Sequence, residues 1–161
     1  MKVTKVEAKD WFGNELKSIA VFPCGNRYYK ASNYFKLLVY TDDGKVYIYE
    51  FYPNFELNYR SGCLIVDVFI DQIGSSLEEQ AAYWAHDAAY TPCASLGNKH
   101  PLGRKEADEL LRAMLRFAGM SSFKASCVYN SVRLFGGSAY HEDDRLTKAN
   151  SELFSFAKME G

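Results

Sequence analysis

The sequence predicts an α+β protein, with an N-terminal hairpin-rich antiparallel β-sheet followed by a C-terminal bundle of about four helices. Three observations carry this. Aromatic residues make up 16% of the 161 residues and crowd between Phe22 and Phe69, among β-branched neighbours and turn signals. The segment Thr41-Asp-Asp-Gly-Lys45 separates two strand-like runs and contains the Asp-Gly signature of a hairpin turn. After Gly74 the apolar spacing shifts from strand-like to helical. The length suits one domain over residues 1–161, divided into a β-rich half (1–73) and a helical half (74–161).

Taken in order, Lys2–Lys9 and Ser18–Phe22 read as strands, and Tyr34–Tyr40 and Val46–Tyr52 form the hairpin. Leu64–Ile70 is a further strand, fenced by Ser61-Gly62 and Gly74. Ser75 or Ser76 then caps a helix with Glu78 and Glu79 in its first turn, ending near Tyr90 before Pro92. A second helix spans Arg104 to Ala118, with Gly119 as the residue that ends it. A third runs from Ser121 or Ser122 to Gly136-Gly137. A fourth is expected from Asp143 to Lys158, where Leu146, Ala149, Leu153 and Phe156 fall on one face.

Charge and composition exclude several classes. Lys and Arg number 19 against 20 Asp and Glu, a net charge of −1, which argues against a nucleic-acid binder. No apolar run approaches the ~20 residues of a membrane span, and the start MKVTKVEAKDWFG does not read as a signal peptide. Cys24, Cys63, Cys93 and Cys127 are widely spaced and form no CxxC pair, so four free thiols in a reducing compartment are expected.

The chemistry concentrates in Ala81–Tyr90. On a helix Tyr83, His86 and Tyr90 stand at i, i+3 and i+7 and share a face, with Asp87 one residue round. On the next helix Ala107, Leu110, Leu111, Met114, Leu115 and Ala118 form an apolar stripe, and Asp108 lies at its rim. A carboxylate there can hydrogen-bond one nitrogen of a facing His86 and leave the other as a general base. Asp87 is placed to offer oxygen to a hard cation such as Ca²⁺. Two readings of the cluster stand: a catalytic site, or a polar network that holds two helices in register. Arg133 is expected to pair with an acidic residue such as Asp87. His100 reads as a loop residue, the run His141–Arg145 as a solvated loop and helix start, and Gly136-Gly137 as a helix end.

The motifs HDAAY (His86–Tyr90), PLGRKEADELL (Pro101–Leu111) and SVRLFGG (Ser131–Gly137) follow one another in the order found in a phage and prophage family, domain of unknown function 1353, which the chain resembles over roughly residues 60–137. The HDxxY and AD elements also resemble the helix pair of phospholipase A2 enzymes, particularly the compact form in parvovirus capsid proteins. That resemblance implies His86 as the base that activates water, Asp87 as a Ca²⁺ ligand, and Tyr90 and Asp108 as supports of His86. The family's glycine-rich calcium loop has no counterpart here, since Asp71–Ser76 holds a single glycine. Together the resemblances imply a phage-type protein with Ca²⁺-assisted phospholipid ester hydrolysis, acting in the host cytoplasm during phage production or in the virion. The alternative is a non-enzymatic virion or assembly component that meets other phage structural proteins through its aromatic sheet.

Overall fold

Alternation writes the central hairpin. In the computed structural model, which describes residues 1–25, 28–58 and 76–161, β4 (Phe35–Thr41) and β5 (Lys45–Phe51) pair antiparallel, from Tyr40↔Val46 to Phe35↔Phe51. Gly44 sits at φ 81° in the turn between them, a left-handed conformation that glycine adopts without strain. Phe35, Leu37 and Val39 on β4, and Tyr47, Tyr49 and Phe51 on β5, point to one face and are buried. The intervening residues, Lys36, Leu38 and Glu50 among them, lie on the opposite, half-exposed face.

The chain is α+β. β1 (Val3–Lys9) pairs with β4 on the side away from β5. A smaller sheet joins β2 (Val21–Gly25), β3 (Tyr28–Ala31) and β6 (Glu56–Asn58) in that order, again antiparallel. The helical half contributes α1 (Leu77–Ala89), α2 (Arg104–Phe117), α3 (Ser122–Phe135) and the short α4 (Gly137–Tyr140) and α5 (Arg145–Ser151). The hairpin and the first three helices fall within a residue or two of their sequence-predicted positions. Ser76 caps α1 by accepting from Glu79 N–H, and Ser121 caps α3 by accepting from Lys124 N–H. The predicted strand Leu64–Ile70, like Cys63 and Ser75, lies outside the described residues.

The C-terminal segment departs from expectation. Asp144 caps a helix, but that helix stops at Ser151, and the chain turns into β7 (Phe154–Glu160). β7 pairs with β5 along its whole length, from Phe51↔Phe154 to Lys45↔Glu160, giving a four-stranded sheet in the order β1-β4-β5-β7. The periodicity of Leu146, Ala149, Leu153 and Phe156 suggested helix, but a bare β5 edge would leave a row of N–H and C=O groups unpaired. Pairing also buries Phe154 against Phe51 and Phe55. Propensity over this short segment yields to that long-range contact.

Helix α1 lies between the sheet and α2. Trp84 stands edge-on to Phe35 and Phe51, with ring centroids at 5.3 and 5.4 Å, and contacts Phe55. Ala81, Ala82, Ala85, Ala88 and Ala89 are buried and keep the helix slim enough to be covered on both sides. The predicted stripe of α2 is buried from Ala107 to Leu115. Among the described residues no helix is long and apolar enough to cross a membrane.

Candidate functional site

The site forms where α1 meets α2. His86 Nε2 lies 2.8 Å from Asp108 Oδ1, and Tyr90 Oη donates to the same oxygen at 2.7 Å. Arg133, on the last turn of α3, donates through Nη1 to Asp108 Oδ2 at 2.9 Å. Asp108 is 0% exposed and His86 7%, while the Arg133 side chain is 33% exposed. The carboxylate is therefore buried with both oxygens occupied, as a buried charge requires. Burial opposes its ionisation most strongly. The hydrogen bonds from His86, Tyr90 and Arg133 outweigh that opposition and hold its carboxyl below the usual carboxylate range. Burial and the bond to Asp108 together push the Tyr90 phenol up, so it remains a donor.

These assignments fix the tautomer of His86. An ionised carboxylate only accepts, so in the neutral ring the Nε2 proton points at Asp108 and the lone pair is on Nδ1. Nδ1 has no hydrogen-bond partner among the described residues. The His86 and Tyr90 rings pack with centroids 4.2 Å apart, which limits rotation of the imidazole. The arrangement is a base with one nitrogen anchored and the other free.

A second layer holds this one. Arg104, in the first turn of α2, donates to the carbonyls of Val132 and Arg133 at 2.8 and 2.6 Å and approaches Tyr90 Oη at 3.4 Å. Its cation thus satisfies the exposed carbonyls at the end of α3, where the helix dipole favours positive charge. The same bonds tie the helix end that carries Arg133 to the start of the helix that carries Asp108. Gly136 makes room for this: a Cβ there would lie 2.6 Å from Val132 O and 2.9 Å from Tyr90 Oη. Tyr140 meets Tyr90 edge-on at 5.3 Å, and His100 stacks flat on Tyr140 at 3.8 Å with Nε2 2.6 Å from the Tyr140 carbonyl.

Of the predicted site residues, the structure brings His86, Tyr90 and Asp108 together. Tyr83 shares their helix face, but its hydroxyl turns back to Glu79 at 3.5 Å and does not reach Asp108. Arg133 pairs with Asp108 rather than with Asp87, because the end of α3 faces α2 at that carboxylate. His100 is a loop residue, as expected, and lies half-buried against Tyr140. Arg104 was missed, although an arginine opening one helix and a Gly-Gly closing another mark two ends that can meet.

Asp87 is half-buried beside His86. Among the described residues it belongs to no group of three His, Cys, Asp or Glu side chains able to hold an ion. One carboxylate does not make a calcium shell of six to eight oxygens. The described residues thus do not by themselves fit Ca²⁺. Cys24, Cys93 and Cys127 are free thiols.

No protein-family model, no curated protein and no solved structure matches the chain.

Proposed function

We propose that the helix pair α1–α2 carries a phospholipase-A2-like hydrolytic site, with esters of the phospholipid class as substrate. The observation that supports this is the anchored histidine: Nε2 bound to a buried, ionised Asp108, with no partner for Nδ1 among the described residues. Nδ1 of His86 takes a proton from water as the water attacks the ester carbonyl. Asp108 keeps the ring oriented and stabilises the imidazolium that forms. Tyr90 and Arg133 keep Asp108 ionised, so that the proton stays on His86 until the leaving alkoxide takes it. Asp87 would offer one oxygen to a hard cation bound beside His86.

Purified protein given phospholipid vesicles, with and without Ca²⁺, tests this reading. It predicts fatty-acid release that His86→Ala lowers by about 10²-fold or more, the range of general acid–base catalysis. Release no higher than that of His86→Ala removes the enzymatic reading.

A second reading rests on a different observation. Trp11 and Phe12 are 68% and 85% exposed at the tip of a turn that Asp10 ties by accepting from Phe12 N–H and Asn14 N–H. A rigid aromatic tip suits a phage virion or assembly component that docks on other structural proteins. Mass spectrometry of purified particles tests it, and absence of the protein from particles counts against it.

A further inference from the structure

A separate cleft of about 530 Å³ opens where β1, α2 and the N-terminal end of α3 meet. Lys2, Arg112 and Arg116 line it, opposed by Glu109. In a chain of net charge −1 this is a local excess of cation. Among the described residues none of the three cations has a carboxylate partner. Glu109 itself turns toward Lys105, at 3.9 Å.

Both arginines are held in place by uncharged groups. The Arg112 guanidinium lies over the Tyr129 ring, 4.2 Å from its centroid, which fixes the plane and leaves the N–H edge available. Arg116 spends one N–H on the Met120 carbonyl at 2.7 Å and keeps the rest of its fork. From the third side come Ser122 and Ser126, residues that can offer hydroxyls, and the start of α3, whose first turn contains no acidic residue. Two oriented guanidinium forks, an ammonium, two hydroxyls and a helix N-terminus supply more donors than a carboxylate's two oxygens use. They match a tetrahedral oxyanion. The cleft is also wider than a bare ion needs, and Val3, Ala113 and Phe117 give it an apolar wall.

We infer that this cleft, formed by Lys2, Arg112, Arg116, Ser122 and Ser126, binds the phosphate group of a phosphate monoester whose organic part rests on Val3, Ala113 and Phe117. It uses none of the residues assigned above to hydrolysis, so it stands whether or not that activity does. The phosphate comes from a soluble ester or from a lipid headgroup, and the test separates the two sources.

The full chain, amide-resolved by NMR at constant ionic strength, is titrated with inorganic phosphate, with glycerol 3-phosphate, and with vesicles of phosphatidylcholine with or without phosphatidic acid. Saturable shifts confined to residues around Lys2, Arg112, Arg116 and Ser122–Ser126 are expected, weakened about tenfold by Arg112→Gln. Ser126→Asp, which leaves the Arg112–Tyr129 stack intact, has the same effect. Lys17→Gln, an exposed charge of equal size elsewhere, leaves binding unchanged. Tighter binding of glycerol 3-phosphate than of phosphate identifies a soluble ester, whereas displacement of phosphate by phosphatidic-acid vesicles alone identifies the lipid headgroup. No saturable binding of any probe, or a loss in Arg112→Gln no larger than in Lys17→Gln, overturns the inference.

Discussion

The two sides of α1 solve opposite problems. Toward the sheet it presents Trp84 to Phe35, Phe51 and Phe55, and there the chain tolerates unmet polar atoms: Trp84 Nε1 and Tyr49 Oη are buried with no hydrogen-bond partner among the described residues. Toward α2 it presents His86 and Tyr90 to a fully buried carboxylate, and there every oxygen of Asp108 is met. An unmet N–H or hydroxyl costs about 1–3 kcal/mol, which aromatic burial outweighs. An unmet buried carboxylate costs far more, so it stays ionised only where hydrogen bonds or a cation meet it. The aromatic side therefore sets shape by volume, and the polar side sets protonation by geometry. The difference also says where function can reside, because only the second side fixes where a proton sits.

Trp84→Ala is expected to have the largest effect. It empties the contact among three rings and is expected to cost about 3–5 kcal/mol, read as a lowered urea midpoint. Asp108→Ala comes next, at about 2–4 kcal/mol, because it leaves Arg133 and His86 facing a void. Asp108→Asn keeps the volume and removes the charge, so a loss close to that of Asp108→Ala is expected; an Asn variant as stable as the wild type would show that packing, not charge, holds this contact.

The smallest effect is a pH dependence. Burial holds His100 below the usual histidine range, despite its carbonyl acceptors. Its folded-state pKa is thus lower than its unfolded value, so folding prefers the neutral ring. That contribution is complete above about pH 6.5 and is lost as pH falls through the depressed value. The sign for Asp108 is the same in a lower window, beginning below about pH 4. Thermal midpoints measured from pH 7.5 to 5 are expected to fall, and His100→Gln is expected to flatten that slope.

Local signals made most of this legible. The Asp-Gly turn gave the hairpin, the serine caps gave the starts of α1 and α3, and Asp108's position at the rim of an apolar stripe gave its meeting with His86. What escaped were pairings between distant segments. β7 exists because β5 offers it an edge, and Phe154, Ser155 and Phe156 fit a strand or a helix equally well until that edge is present. Arg133 could not be assigned to Asp108 over Asp87 without the crossing of α3 on α2, which Arg104 fixes from about 28 residues away in sequence. Periodicity orients a face; it does not choose which face is met.

The most direct measurement concerns where the proton sits on His86. In ¹⁵N-labelled protein at a pH where the ring is neutral, Nε2 is expected to be protonated and Nδ1 unprotonated, with Tyr90→Phe and Arg133→Gln loosening but not reversing that preference. A neutral His86 carrying its proton on Nδ1 would contradict it, because the nitrogen left to act as base would then be the one facing Asp108.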